Sequence, residues 1–457
     1  MDEFMGENVF LTGKTARELY ESVKGLPIID YHCHLSPKEI YENRRFEDIG
    51  SLWLEGDHYK WRLMRAAGID EEYITGKASF DEKFLAFAKV LPRAANNPVY
   101  HWAHMELKTY FGINTPINED SAGEILREAN YLLKKEEITT RSLMKRSNVE
   151  VVCTTDDPSD SLEYHLAIAK EHFGTRVRPA FRPDKAVGGL TKPFFIDYVK
   201  GMTGGSISFT DWLDALERRI DFFVSAGCKV SDLSLPVVPD TIGTYLQAKE
   251  AFDKAMAQNP DSNTEKYYIS FLVCHLARLY ADKGIAMQFH LSSIRNNSTR
   301  LFNLLGLDCG NDSVGQSLDI SAFGRMLDNI EMSGGLPKLI VYTLNQSNYY
   351  EIATLVGCFQ GSSGGMAQLG AAWWFCDHSD GIKEQMRVLS TTGLLGKFNG
   401  MLTDSRSFTA YVRHDYFRRI LCSFIGDFVS KGELDIKAAV MLVRAVSYEN
   451  ARDYFGM

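Results

Sequence analysis

Two histidines, two positions apart, give the strongest chemical signal in the sequence. They occur in Asp30-Tyr31-His32-Cys33-His34-Leu35, directly after the apolar run Pro27-Ile28-Ile29. Positions two apart on a strand face the same side, so the imidazoles of His32 and His34 project together. Paired imidazoles at the end of a strand can bind a transition metal ion. The alternative interpretation is a pair of surface histidines.

Two further ionisable residues follow apolar runs in the same way. His290 ends Met287-Gln288-Phe289, and Asp404 ends Gly400-Met401-Leu402-Thr403. A carboxylate in such a position can complete a metal site or act as a general base. A histidine there can contact the metal or the substrate. The structural alternatives are a buried core histidine and an aspartate that caps a helix.

Three arginines also follow candidate strands. Arg182 comes after Pro179-Ala180-Phe181, Arg295 lies in the polar segment after His290, and Arg406 lies two residues after Asp404. Guanidinium groups bind carboxylates through paired hydrogen bonds, so these residues predict an anionic substrate. The alternative for each is a salt bridge at the rim.

Aromatic residues accompany this polar set. Asp57-His58-Tyr59-Lys60-Trp61-Arg62 is dense in polar and aromatic groups and predicts a lid that reaches into the site; an amphipathic helix with Trp61 buried is the alternative. Trp373-Trp374-Phe375 ends another apolar run. Tryptophans are usually core residues, but one of this pair could stack on a sugar ring.

Eight apolar, β-rich segments position these residues, and helical patterns separate most of them. The predicted strands are Leu26 to Tyr31, Val149 to Thr154, Arg176 to Phe181, Cys228 to Val230, Ile285 to His290, Leu339 to Thr343, Met366 to Trp373 and Phe398 to Thr403. Strand–helix alternation indicates a parallel sheet, and eight repeats indicate a closed (β/α)8 barrel of the α/β class. Barrel active sites lie at the carboxyl ends of the strands, where all the candidate residues fall.

The spacing of the strands is uneven. The segment between the first and second strands is mostly helical in pattern and rich in aromatic residues, and a barrel needs only one helix there. We therefore predict three parts: an N-terminal helix and first strand at 1–36, a helical insertion over the barrel mouth at 37–146, and the rest of the barrel with C-terminal helices at 147–457.

Composition excludes several classes of protein. Hydrophobic residues make up 45% of the 457 residues, and the formal net charge of -9 argues against a nucleic-acid partner. The sequence has no apolar run of about 18 residues, so we expect no membrane partner. It has no Gly-x-Gly-x-x-Gly motif, so we expect no nucleotide cofactor. The eight cysteines are spread singly, which favours a reducing compartment and a cytoplasmic location.

Four segments together closely resemble the uronate isomerase (glucuronate isomerase) family, a divergent branch of the amidohydrolase superfamily. They are Asp30 to Leu35, Asp57 to Arg62, Thr154-Thr155-Asp156-Asp157-Pro158 and Leu402-Thr403-Asp404-Ser405-Arg406-Ser407-Phe408. The likeness extends from near Phe10 to Phe455. It implies a distorted, metal-dependent (β/α)8 TIM barrel of the amidohydrolase type. It also implies an aldose–ketose isomerase of hexuronate catabolism that interconverts D-glucuronate with D-fructuronate and D-galacturonate with D-tagaturonate.

The same resemblance assigns roles by motif position. It implies a metal site formed by His32, His34 and Asp404 with His290 nearby, lid residues His58 and Tyr59, and substrate contacts from Arg182, Arg406 and one tryptophan of the Trp373–Trp374 pair. We expect one divalent metal ion, taken as Zn2+, a small hexuronate substrate and a homo-oligomer. One position departs from the family: Ser231-Asp232-Leu233 stands where relatives often have Ser-Asp-His. This difference predicts an altered substrate preference or rate.

The chemistry of such an isomerisation requires a base that removes a proton from one carbon and an acid that returns it to the next. Asp404 and Tyr59 are the candidates for proton transfer, and a hydride shift remains open. The runner-up function is a metal-dependent hydrolase that acts on a lactone, ester or amide of an acidic sugar. A catalytically silent sugar-acid-binding protein is a third possibility.

Overall fold

Parallel strands alternate with helices along the chain in the computed structural model, which describes residues 3–135, 138–362 and 364–457. Residues 1–2, 136–137 and 363, which belong to the three predicted parts, lie outside the described residues. The strands are β1 Ile28–Asp30, β2 Val149–Cys153, β3 Arg176–Arg178, β4 Val230–Ser234, β5 Ala286–Leu291, β6 Ser293–Ile294, β7 Ser313–Val314, β8 Leu339–Thr343 and β9 Ala367–Leu369.

Seven of these strands form the curved wall predicted for an α/β barrel. One parallel sheet has the order β1-β2-β3 and the other the order β4-β5-β8-β9. Isolated parallel bridges join Asp156 to Phe181 and Phe181 to Ser231, and they connect the two sheets. Strands β5 and β8 are buried throughout, as expected where helices cover one face and the barrel interior lies on the other. The short β6 and β7 form an antiparallel pair that the sequence did not predict.

The predicted eighth strand was wrong as regular structure, because Phe398 to Thr403 forms no strand. This segment still closes the wall beside β1. The carboxylate of Asp30 accepts hydrogen bonds from the Thr403 N–H, at 2.8 Å, and from its hydroxyl, at 2.6 Å. The Asp404 N–H donates to the carbonyl of His32 at 3.2 Å. The Asp30 side chain and a single bond from the Asp404 N–H thus hold this segment beside β1, where a regular strand would form a ladder of backbone hydrogen bonds.

Backbone angles explain why this segment is irregular. Gly400 has φ of 76° and Asp404 has φ of 45°, and neither angle fits a strand. At Gly400 a side chain would also meet the carbonyl oxygen of Val446 at 2.2 Å. The predicted third strand is likewise shorter than expected. It ends at Arg178, because Pro179 has no N–H to donate to a ladder.

The described helices occupy the spaces between the strands. Between the N-terminus and β2 they are α1 Gly13–Glu21, α2 Pro37–Glu42, α3 Ile49–Leu54, α4 His58–Ala66, α5 Phe80–Val90, α6 Pro98–Glu106, α7 Ala122–Lys135 and α8 Thr140–Arg146. The next are α9 Glu163–Ile168, α10 Asp184–Gly188, α11 Phe195–Thr203, α12 Phe209–Ser225, α13 Tyr245–Met256, α14 Ser262–Lys283, α15 Thr299–Leu305, α16 Ile320–Met332 and α17 Tyr349–Val356. The last are α18 Ser379–Thr392, α19 Val412–Ser430, α20 Ile436–Arg444 and α21 Asn450–Phe455.

Short turns complete the chain. The 3₁₀ helices are Glu71–Tyr73, Leu91–Arg93, Gln346–Asn348, Trp374–Cys376 and Leu395–Lys397, and the π-helical turns are Leu107–Phe111 and Ala445–Glu449. Helices α2 to α8 lie between β1 and β2; their status as a separate part at 37–146 stays a prediction. Within the described ranges, no helix is both long and apolar enough to cross a membrane.

Candidate active site

The two histidines after β1 meet the carboxylate of Asp404 at the carboxyl end of the barrel wall. Oδ1 of Asp404 lies 3.2 Å from Nε2 of His32 and 3.1 Å from Nε2 of His34. The backbone bond between Asp404 and the carbonyl of His32 brings the late segment to the early one. The three residues that the sequence predicted as metal ligands therefore lie together, although 370 positions separate His34 from Asp404.

Neighbouring groups orient this triad. The indole N–H of Trp373 donates to Oδ2 of Asp404 at 2.7 Å. The hydroxyl of Thr155 lies 3.2 Å from Nδ1 of His34. Hydrogen bonds of this kind fix ring and carboxylate orientation at metal sites. Trp373 was predicted as an apolar substrate contact, and its indole N–H also orients the Asp404 carboxylate.

Asp232 on β4 is a site residue that the sequence analysis did not single out. Its Oδ2 lies 3.6 Å from Nδ1 of His32, and its Oδ1 lies 2.6 Å from Nδ1 of His290 on β5. In the sequence, Ser231-Asp232-Leu233 was noted only because it lacks the histidine that relatives often have. The aspartate of this segment is the feature that could have indicated a site residue. Leu233 is buried, and alternation along β4 places its side chain on the face opposite Asp232.

Arg182 balances the buried charge of Asp232. Its Nη1 donates to Oδ2 of Asp232 at 2.9 Å, and its Nε donates to Asp184 at 2.9 Å. Burial opposes ionisation of Asp232, but Arg182 and His290 outweigh it and hold the pKa of this carboxyl well below its usual range. Arg182 was predicted as a substrate contact, and in this structure its guanidinium is already engaged by two aspartates.

The pKa values of the triad follow from burial and close charges. Burial lowers the pKa of His34 to about 4, even though Asp404 acts in the opposite direction. For His32, burial is outweighed by Asp232 and Asp404, which raise its pKa above the ordinary value. Burial disfavours the carboxylate of Asp404, but the two histidines hold its pKa well below its usual range. Asp404 is therefore ionised at neutral pH.

The donor set fits a divalent metal ion. Nδ1 of His32 and Nε2 of His290 are buried, and neither has a hydrogen-bond partner in the described part of the chain. Buried polar atoms normally have partners, so such a cluster points to a ligand. Two groups have ligand atoms within 4.8 Å of one another: His32, His34 and Asp404, and His32, Asp232 and His290. Imidazole nitrogens and carboxylate oxygens are typical zinc ligands.

The lid residues predicted at 57–62 lie at the start of α4. The carboxylate of Asp57 accepts hydrogen bonds from the N–H groups of Tyr59, at 2.9 Å, and Lys60, at 3.2 Å, and so begins the helix. The rings of His58 and Tyr59 stack 5.0 Å apart. Burial lowers the pKa of His58 and raises that of the Tyr59 phenol, so both groups are uncharged at neutral pH.

Arg413 on α19 is a second buried residue that the sequence analysis missed. Its guanidinium lies 3.9 Å from the Trp102 ring centroid and 5.3 Å from that of Tyr59. Its Nη1 donates to the carbonyl of Thr403 at 2.8 Å, next to Asp404. This arginine connects α4 to the Asp404 segment. Its helical position carried no spacing signal that could have indicated the contact.

Two adjoining cavities open on these groups. One, of about 340 Å³, is lined by the predicted residues His32, His34, His58, Arg182, His290, Arg295, Trp373, Trp374, Asp404 and Arg406. The other, of about 280 Å³, is lined in part by His58, Tyr59, Arg406 and Arg413. Arg295 lies over the Trp374 ring, 4.7 Å from its centroid, and pairs with Asp312 at 2.9 Å. Arg406 pairs with Asp308 at 2.8 Å. Every predicted site residue thus lines one of these two adjoining cavities.

Histidines and carboxylates that meet at the carboxyl ends of parallel strands are the arrangement of an enzyme site in an α/β barrel protein. The family model described as glucuronate isomerase matches residues 1–455. The chain therefore belongs to the glucuronate isomerase family, and the family resemblance seen in the sequence is confirmed.

Individual relatives agree along the whole chain. A uronate isomerase of Caldanaerobacter subterraneus subsp. tengcongensis is 47% identical, with 100% of both chains covered. A uronate isomerase of Bacillus subtilis is 45% identical over 100% of this chain and 98% of its own. The crystal structure of a uronate isomerase from Thermotoga maritima has a TM-score of 0.94 at 33% identity and covers 99% of this chain and 100% of that one. The predicted α/β fold is confirmed.

Proposed function

We propose that the protein is an aldose–ketose isomerase of hexuronates, which interconverts D-glucuronate with D-fructuronate and D-galacturonate with D-tagaturonate. The single observation that carries the proposal is the ionised Asp404 carboxylate, placed between His32 and His34 and facing a cavity with three arginines. Family membership supports the same reaction. The alternative of a lactone, ester or amide hydrolase is not favoured, because the relatives named above are isomerases.

The arginines in the cavity explain why the proposed substrate is a sugar that carries a carboxylate. Arg295 and Arg406 line the cavity and are partly exposed, at 35% and 40% of their side chains. A guanidinium has five N–H donors, so Arg295 and Arg406 can each bind a substrate carboxylate. Arg182 is more fully engaged, and its positive charge adds to the field at the mouth. Trp374 gives the sugar ring an apolar surface at the same wall.

Asp404 and Tyr59 divide the proton transfers. The carboxylate of Asp404 accepts the proton from the carbon next to the carbonyl and returns it to the neighbouring carbon. The Tyr59 phenol is protonated at neutral pH; it gives its proton to the carbonyl oxygen on which negative charge develops and regains one from the neighbouring hydroxyl as the new carbonyl forms. His58, uncharged and stacked on Tyr59, lines both cavities and hydrogen-bonds the sugar hydroxyls.

His32, His34 and Asp404 would hold the divalent metal ion, with His290 and Asp232 beside them. We propose Zn2+, because the donors are nitrogens and carboxylate oxygens. When bound, the ion supplies positive charge that polarises the substrate oxygens. His290 stacks on Tyr342 and abuts Trp373, which keeps its ring at the wall.

Three further assignments belong to the same proposal. We assign the protein to the cytoplasm on the single spacing of its eight cysteines. We assign it to a homo-oligomer, which light scattering after gel filtration tests directly. We retain the division at 36 and 146, which limited proteolysis tests.

The proposed reaction is tested by incubating the purified protein with D-glucuronate and D-galacturonate. We expect a ketose from each acid, with solvent deuterium incorporated at the carbon next to the carbonyl, and loss of turnover after chelation. An aldonolactone serves as the alternative substrate. Hydrolysis of the lactone with no ketose from either acid would overturn the proposal.

A further inference from the structure

Arg406 at the mouth already holds a carboxylate of the protein. Its Nη2 donates to Oδ2 of Asp308 at 2.8 Å, and both residues line the 340 Å³ cavity that contains Asp404. The pair is accessible, with 40% of the Arg406 side chain and 54% of the Asp308 side chain exposed. Asp308 thus lies at the guanidinium that is proposed to bind the acidic group of the substrate.

The segment that carries Asp308 is anchored to α4 directly after that residue. Arg62 of α4 donates to the carbonyls of Gly310, at 3.0 Å, and Asp312, at 2.9 Å. Arg65 of the same helix donates to the carbonyl of Cys309. These bonds join the Asp308 segment to the helix that carries His58 and Tyr59. The carboxylate is therefore presented to Arg406 by a fixed loop.

We propose that Asp308 is a specificity-determining residue that acts as an internal competitor for the carboxylate of the substrate. The inference rests on the proposed function, because it takes Arg406 as a group that binds the acidic sugar. A sugar carboxylate that approaches Arg406 must displace Asp308 or bind beside its negative charge. A neutral sugar carries no charge that competes for Arg406, so Asp308 does not oppose its binding in this way.

The size of the effect follows from the exposure of the pair. Ion pairs of this kind are weak, so competition by Asp308 raises the KM for an anionic sugar about two- to fivefold. Asp308→Asn removes the charge and keeps the shape. Asparagine also tolerates the left-handed backbone at this position, where φ is 56°. We expect this variant to lower the KM for D-glucuronate about two- to fivefold, with kcat unchanged within about twofold.

Two further variants show whether the effect of Asp308→Asn comes from the ion pair with Arg406 or only from the loss of one negative charge. Asp240→Asn also removes an exposed carboxylate from an ion pair, the one with Lys266, and Asp240 lines neither cavity at the mouth. We expect it to leave KM unchanged. Arg406→Met removes the partner itself. In that background, Asp308→Asn is expected to give no gain in kcat/KM, measured at low D-glucuronate concentration with enough enzyme to detect slow turnover.

The outcomes distinguish this inference from the reaction that it depends on. An unchanged or higher KM in Asp308→Asn, beside an Arg406→Met variant that binds D-glucuronate poorly, would overturn the role of Asp308 and leave the isomerase intact. A gain that persists without Arg406 would also overturn it. If the parent protein forms no ketose from either hexuronate, it is the proposed function that fails.

Discussion

The indole N–H of Trp373 donates a 2.7 Å hydrogen bond to one oxygen of Asp404, while the other oxygen lies toward His32 and His34. The tryptophan therefore sets the rotation of the carboxylate that the proposed chemistry uses. The Trp373 side chain is buried, whereas Asp404 is 13% exposed and lines the cavity.

Trp373→Phe is expected to lower kcat about tenfold to a hundredfold, the usual cost of losing a group that orients a metal-site ligand. The measurement is steady-state turnover of D-glucuronate together with the metal content of the purified variant. Trp374→Phe is the matched control, since the indole N–H of Trp374 has no hydrogen-bond partner among the described residues. Equal losses in the two variants would show that the Asp404 hydrogen bond is not what matters.

Arg182→Met is expected to destabilise the fold by about 3–5 kcal/mol, because Asp232 then stays buried beside two histidines without the arginine that balances its charge. Arg295→Met provides the comparison: its pair with Asp312 is partly exposed and contributes about 1 kcal/mol or less. Urea unfolding of both variants measures the difference. Similar unfolding midpoints for the two would contradict the charge-balancing role of Arg182.

A pH-dependent loss of stability is expected from Asp156, which is buried and lines neither cavity. Burial raises its pKa to about 7 from an ordinary 3.8, although the Thr154 hydroxyl and the Ala180 N–H donate to its carboxylate. The folded chain therefore keeps a proton that the unfolded chain releases. This contribution to stability is complete below 3.8 and is lost as pH rises through about 7.

Asp156→Asn is expected to flatten this dependence, because asparagine resembles the protonated acid and does not titrate. The measurement is Tm between pH 5 and pH 8.5 for the parent and the variant. The parent should lose more Tm across that range than Asp156→Asn does, whereas Asp240→Asn, at an exposed position, should follow the parent. Parallel curves for the parent and Asp156→Asn would contradict the raised pKa.

Tyr59→Phe is expected to reduce kcat about 10²- to 10⁴-fold, which is the usual contribution of a positioned acid or base. The Tyr59 hydroxyl has no hydrogen-bond partner in the part of the chain that the structure describes, and Tyr59 lines the smaller cavity beside Asp404. Tyr349→Phe removes a similarly buried and unpartnered hydroxyl on α17 and should leave kcat unchanged. Turnover of Tyr59→Phe within a few-fold of the parent would exclude the phenol from the proton transfers.

Much of the site could be predicted from local pattern. His32 and His34 share one face of a strand end, and barrel topology brings the segment that ends in Asp404 to the same mouth. Asp232 could not be singled out in this way, because one aspartate inside a strand carries no spacing signal. Its importance comes from tertiary contacts with His32, His290 and Arg182.

At the segment that closes the barrel wall beside β1, the sequence predicted regular structure that the chain does not form. Phe398 to Thr403 is apolar enough to predict a strand, but the positive φ angles of Gly400 and Asp404 and the bonds from Thr403 to Asp30 replace a regular ladder. Arg413 was missed for a related reason. It lies on a helix, and the stacking on Trp102 and Tyr59 that gives it a role depends on packing between distant segments.

The most direct test of the central claim is deuterium exchange at the carbon next to the carbonyl of D-glucuronate, compared between the parent protein and Asp404→Asn. With metal content matched in the two samples, the account predicts exchange and ketose formation in the parent and a loss of both by about 10²-fold or more in the variant. Exchange in Asp404→Asn within a few-fold of the parent, with both proteins folded, would contradict the claim that this carboxylate moves the proton.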